Sequence, residues 1–284
     1  MKIKTILDKI MAFHAPLDFP DRTCDTVKCG NPDDECTGIG ITCYVSMDVI
    51  RQAKEKGINL LITHEPTFYN HDEKTDFLAD DPVYLEKVSA LRDAGIVVWR
   101  DHDHIHGPGG PGATVHPYID YIYYGIAREL GWEDYVIGEE TKPLWFRIPQ
   151  TTTRDLAQEL MEKINLTGVR VVGDLDATVS TVFMCEHVQG NEHDRNLIQA
   201  ARQADAIIPL EIIDWTLSEY IRDAAQQGRG KAIIEMGHFN TEELGMKYMV
   251  QWLPDVIGTD LPVEYLQSGD SFHYILRHPV SKNV

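Results

Sequence analysis

The sequence predicts an α/β fold of two similar lobes with mostly parallel sheets. Two observations predict it. Short apolar runs read as strands: IGITCYV (39–45), INLLIT (58–63), IVVWR (96–100), ADAIIPL (204–210) and KAIIEM (231–236). Several are too continuously apolar to have a solvent face, as in buried parallel strands. Stretches with helical spacing alternate with them, which is the pattern of βαβ units. At 284 residues the chain accommodates two ordinary domains, expected as a first lobe over 1–140 and a second over 141–284.

Each element has its own reason. Ile3, Ile6, Leu7 and Ile10 share one side of an N-terminal helix. Asp8, Lys9 and His14 interrupt that stretch, so it does not read as a secretory leader. Residues 24–36, with Gly30, Pro32 and a DDE run, are expected as loop. Ser46 caps the helix SMDVIRQAKEK, and Gly57 supplies its left-handed stop. A helix over 83–95 closes at Gly95, and the cluster DHDHIH (101–106) follows the next strand. GPGGPG (107–112) reads as loop, and a helix is expected over 118–130. Residues 142–185 read as β-α-β-β and open the second lobe. A helix over 216–228 ends at Gly228, and a last helix after His238 is expected to start from Asn240 or Thr241.

Composition narrows the function. The chain is 43% hydrophobic and 25% charged, an ordinary globular balance. With 45 acidic against 26 basic residues, its formal charge of −19 opposes broad contact with nucleic acid or anionic membrane. No run reaches the roughly 20 apolar residues of a membrane helix, and a cytoplasmic protein is expected. Cys24, Cys29, Cys36, Cys43 and Cys185 contain no C-x-x-C pair and are expected as reduced thiols. A nucleophile elbow, a P-loop and a dinucleotide fingerprint are all missing from the sequence.

What remains is a coincidence of strand ends. Ligands of open α/β sheets bind beyond the carboxyl ends of the strands. Three strands here end in His64 and Glu65, in DHDHIH, and in His238. Such imidazole and carboxylate sets suit divalent metals. His64 and Glu65 are consecutive, so both face one site only if the chain turns there, and Pro66 favours a turn. Otherwise Glu65 is a solvent-facing carboxylate. If the strand continued through DHDHIH, His102, His104 and His106 would share a face opposite Asp101 and Asp103. Glu242 lies four residues after His238 and can either share its site or stabilise the helix start. Glu211 ends a strand and reads either as a catalytic or water-orienting carboxylate or as a helix cap.

Several of these segments together resemble the GTP cyclohydrolase 1 type 2 family, a toroid-forming, dinuclear-metal family related to a yeast coactivator-interacting factor. DECTGIGITCYVSMDVIRQAKEKGINLLITHEPTFY resembles its N-terminal signature, with Thr63, His64, Glu65 and Pro66 at a T-H-H-P motif. ADAIIPLE resembles the family's penultimate strand, which ends in G-E, and Gly237, His238, Thr241 and Glu242 match G-H-x-x-T-E. The resemblance implies metal ligands at His64, Glu65, His106, His238 and Glu242, the last bridging two ions. Asp103 or His104 could stand in for His106 if the loop is shifted. It departs from the family at Glu65, where a histidine is usual, and at His106, where an aspartate is usual. It further implies two zinc, manganese or iron ions between the lobes, a hexameric ring, and hydrolase-like chemistry on a small, nucleotide-like substrate. His102 and Glu211 would handle protons there. A metal-containing scaffold or regulatory protein without catalysis is the alternative.

Overall fold

A computed structural model describes residues 1–18, 20–107 and 118–275. In chain order the elements are α1 (Ile3–Phe13), β1 (Val27–Cys29), β2 (Ile39–Thr42), α2 (Met47–Lys56), β3 (Leu60–Thr63), α3 (Pro82–Asp93), β4 (Val97–Arg100) and α4 (Tyr121–Leu130). There follow β5 (Trp145–Thr152), α5 (Thr153–Ile164), β6 (Arg170–Gly173), β7 (Thr178–Cys185), α6 (Asp194–Ala201), β8 (Ala206–Pro209), α7 (Leu217–Gln226), β9 (Ala232–Glu235), α8 (His238–Ile257) and β10 (Val263–Tyr265). Beyond Gly107, the loop expected over 107–112 lies outside the described residues.

Two five-stranded sheets result, ordered β1-β4-β3-β2-β10 and β5-β7-β8-β9-β6. The inner strands β2, β3 and β4 are parallel to one another and buried throughout, as their unbroken apolar runs require. β7, β8 and β9 repeat that arrangement in the second sheet, and antiparallel β1, β5 and β6 form edges. Thr42 pairs with Thr63, and Thr63 with Arg100, so three carboxyl ends finish in register. The next residues, His64 and Asp101, therefore lie side by side.

The expected local devices are present. Ser46 accepts from Val49 N at 3.2 Å, and Gly57 adopts φ 69° at the end of α2. Ile3, Ile6, Leu7 and Ile10 of α1 are buried. β1 corrects the expectation of a loop over 24–36, and β10 is an addition to the predicted elements. Three-residue edge strands carry too little pattern to read.

α8 joins the two sheets. It leaves β9 of the second, packs across α4, and delivers the chain to β10 beside β2 of the first. The α4–α8 crossing needs glycine on both helices. A Cβ on Gly125 would lie 2.9 Å from Gly245 Cα, and one on Gly245 would lie 2.6 Å from the backbone of Ile122. This close approach carries the first turns of α8, which hold second-lobe residues, to the strand ends of the first lobe. Among the described residues no helix is long and apolar enough to cross a membrane.

Candidate metal centre

The turn that His64 and Glu65 require is present. Both amides donate to Cys43 O, at 3.0 and 2.8 Å, so the chain leaves strand geometry directly after Thr63. The Arg100 guanidinium, fully buried, donates to His64 O at 2.9 Å and to His71 O at 2.8 Å, holding the turn against the sheet. Glu65 is buried, and it lines the same cleft as Glu242, not the solvent.

DHDHIH does not continue the strand. Asp25 accepts hydrogen bonds from His102 N, Asp103 N and His104 N, at 2.7, 3.0 and 2.7 Å, and curls residues 102–106 into turns. His104 Nδ1 also binds Asp25, at 2.6 Å, which removes His104 from the cleft. His102 and His106 face the cleft instead, their ring centroids 4.7 and 5.0 Å from that of His64. Asp103 supports His102 Nδ1 at 2.9 Å, so it stands behind the histidine cluster.

α8 begins at His238, with Gly237 at its cap, three or four residues before the cap at Asn240 or Thr241 that the sequence implies. Asn240 and Thr241 donate back to Met236 O and Gly237 O, so neither acts as an N-cap acceptor. His238 and Glu242 thus share a helix face at i and i+4, with His238 Nε2 3.0 Å from Glu242 Oε2 and 2.8 Å from Glu65 Oε1. Glu211, beyond β8, accepts from His238 Nδ1 at 2.8 Å and from His187 Nδ1 at 2.6 Å. Sequence reasoning missed His187. The available signal was β7, a fourth strand ending in titratable residues, Glu186 and His187.

A single pattern runs through these contacts. His64 Nδ1 is held by Asp101 O at 3.1 Å, His102 Nδ1 by Asp103, His106 Nδ1 by buried Asp120 at 3.1 Å, and His238 Nδ1 by Glu211. Each ring is fixed through one nitrogen and keeps Nε2 for another partner, the arrangement that carboxyl or carbonyl groups impose on metal-binding histidines. His64, His102 and His106 offer ligand atoms within 4.8 Å of one another, as do His64, Glu65 and Glu242, and His187, Glu211 and His238.

The electrostatics agree. Burial opposes a charge on His64, but Glu242 and Glu65 outweigh it and lift its pKa to about 9. Burial presses His102 down to about 4. Burial would raise Glu211, yet the two imidazoles that donate to it bring it down to about 2. Glu242, deeply buried, is held well below the usual carboxylate range by His64 and His238. The carboxylates thus demand positive charge in a buried place. His64 Nε2 and Glu242 Oε2 are 3.5 Å apart, both buried, and neither makes a hydrogen bond. Glu242 Oε2 still has the His238 imidazole 3.0 Å away, whereas a buried ring nitrogen without a hydrogen bond, as at His64 Nε2, costs about 1–3 kcal/mol. Nitrogen and oxygen donors of this kind fit a divalent transition metal.

A further group, Cys24, His102 and Asp103, also brings ligand atoms together. Burial pushes the Cys24 thiol far up, which disfavours the thiolate a metal needs. None of the five cysteines is paired in a disulfide.

The model of the Duf34/NIF3 (NGG1p interacting factor 3) family matches residues 1–102 and 123–270. The chain belongs to this family. Curated relatives described as GTP cyclohydrolase 1 type 2 homologs, from Staphylococcus aureus strains COL and Mu50, are each 19% identical over 213 residues, covering 74% of this chain and 52% of theirs. The chain spans about half the length of the curated relatives it matches. Among solved structures, a Staphylococcus aureus hypothetical protein aligns with TM-score 0.67 at 19% identity, covering 97% of this chain and 99% of its own. A Bacillus cereus protein related to NIF3 aligns with TM-score 0.67 at 14% identity and the same coverages. A protein from Thermus thermophilus gives 0.61 at 19% identity, over 96% of this chain and 100% of its own. At these identities the three structures establish the shared fold.

Proposed function

We propose that the cleft holds two divalent cations, zinc, manganese or iron, and that the chain is a metal-dependent hydrolase of a small, nucleotide-like substrate. The observation that carries this reading is the buried convergence of His64 Nε2 and His238 Nε2 on Glu242 Oε2, at 3.5 and 3.0 Å, with His64 Nε2 making no hydrogen bond. His64, His102 and His106 would hold one ion and Glu65 and His238 the other, with Glu242 between them. Cations so held supply Lewis acidity and lower the pKa of water.

The protein's own groups do the positioning. Asp103, Asp120 and the Asp101 carbonyl fix the three first-lobe imidazoles, and Glu211 fixes His238. Both Glu211 oxygens are taken by imidazoles, so in this reading it is a positioning residue and not the base. His102, neutral and deeply set, serves as a ligand, which leaves His187 to exchange protons. It lines the cleft, and its hydrogen bond to Glu211 raises its pKa. The cleft measures about 180 Å³. That is below the roughly 300 Å³ at which pockets for drug-sized ligands begin, so the reacting end of a substrate enters and the rest stays outside.

The lobe boundary at 140/141 and a cytoplasmic location, read from the sequence, and a ring of six copies, on the family resemblance, belong to the same reading. Elemental analysis of protein purified without chelator tests it. About two equivalents of transition metal per chain are expected, and less than about half an equivalent would sink it. Two bound metals with no turnover across a phosphoester and nucleotide screen would favour the scaffold alternative.

A further inference from the structure

Part of the cleft wall is built from Tyr123, Lys142 and Glu186. Tyr123 lies in the first turn of α4, whose cap, Asp120, also holds His106. Its side chain is almost wholly buried, and its hydroxyl has no hydrogen-bond partner. The hydroxyl feels the charges of Glu186, Glu242 and Asp120, which places it among the carboxylates of the cleft. Together with burial these keep it protonated. A buried donor without an acceptor costs about 1–3 kcal/mol, a cost that phenylalanine would avoid.

Lys142 is its neighbour. The buried ammonium is 5.2 Å from the Tyr123 ring centroid, donates to Glu186 at 2.7 Å, and lies 3.6 Å from Asp120. An ammonium has three donors, so one hydrogen bond to Glu186 does not exhaust it. The cleft therefore contains two point donors, one neutral and one cationic, beside the histidine and carboxylate cluster.

We propose that Tyr123 and Lys142 form a subsite for a phosphoryl oxygen of the substrate, with the Tyr123 hydroxyl as donor. This deepens the metal-hydrolase reading and rests on it for the reacting end. Phosphate fits better than carboxylate for a geometric reason. Planar carboxylates are matched by the forked donors of arginine, and among the described residues no arginine lines the cleft. Separate point donors suit a tetrahedral anion with acceptors on every side. Glu186 holds Lys142 until the anion arrives and also repels that anion.

The test is titration of the full chain with inorganic phosphate, followed by calorimetry, with metal content measured on every sample. The comparison is wild type against Tyr123→Phe and Glu186→Gln, each loaded with manganese and each metal-free. Tyr123→Phe is expected to weaken phosphate binding about 10-fold or more, the loss of one hydrogen bond to a charged group. Glu186→Gln should tighten it, and metal content should match wild type in both. Phosphate binding by Tyr123→Phe equal to wild type overturns the subsite, and so does a wild type that binds no phosphate in either state. Should the chain take up no metal, the two-cation reading fails on elemental content alone. The metal-free titrations then still decide the subsite by the same Tyr123→Phe comparison.

Discussion

The two ends of the cleft use the same residue types differently. In the first lobe, the His64, His102 and His106 side chains are 0%, 15% and 10% exposed, and each has an acceptor of its own. In the second, the His187 and His238 side chains are 32% and 29% exposed and share a single carboxylate, Glu211, itself 38% exposed. The first pole is a set of separately braced, mostly buried imidazoles. The second is a pair coupled through one hinge group and open to solvent. On the proposed reading, a cation at the first pole should therefore bind tightly and exchange slowly, and substrate and protons would enter at the second pole. Glu242 belongs to both, lying beside His64 and His238.

The largest expected effect comes from removing what the poles share. Glu242→Gln should drop metal content from about two equivalents to below about half an equivalent, because neither site keeps its bridging charge. Elemental analysis reads it, and a variant that retains both metals would show the poles to be independent.

Next come the braces. Asp103→Asn in the first pole and Glu211→Gln in the second should each weaken metal binding about 10–100-fold. Competition with a chelator should show Glu211→Gln losing one equivalent while the other stays. Simultaneous loss of both in each variant would dissolve the distinction between the poles.

Gly245→Ala attacks the same geometry from a distance. The added methyl would meet the Ile122 backbone and spread α8 from α4, costing about 1–3 kcal/mol. Denaturant unfolding measures that loss, and the displaced Glu242 should lower metal affinity with it. The smallest effect is a control. Ser46→Ala removes the α2 cap, costs about 1 kcal/mol, and should leave metal content unchanged.

The difference between the poles also explains what could be read in advance. Strand ends are local features, so His64, Glu65, His238 and Glu242 were legible from apolar runs and the residues that follow them. The family resemblance supplied the two metals and the bridging role of Glu242. The outcome at DHDHIH was not legible, because it depends on Asp25, which is 77 residues from His102 in sequence. The strand pattern gave His104 the same face as His102 and His106, and one distant carboxylate reversed it. His187 is not legible, because β7 reads as part of a separate lobe and nothing local ties it to Glu211. Tyr123 and Lys142 reach the cleft through long-range packing, the first on a helix whose angle is set by the Gly125–Gly245 crossing. Their sequence surroundings carry no sign of it.

Anomalous diffraction from crystals of protein purified without chelator, collected at the zinc, iron and manganese edges, tests the central claim most directly. Two peaks are predicted in the cleft, roughly 3.5–4 Å apart as in other two-metal sites, one against His64, His102 and His106, the other against Glu65 and His238, with Glu242 touching both. A cleft without anomalous density, or a single peak at Cys24, His102 and Asp103, would contradict the account.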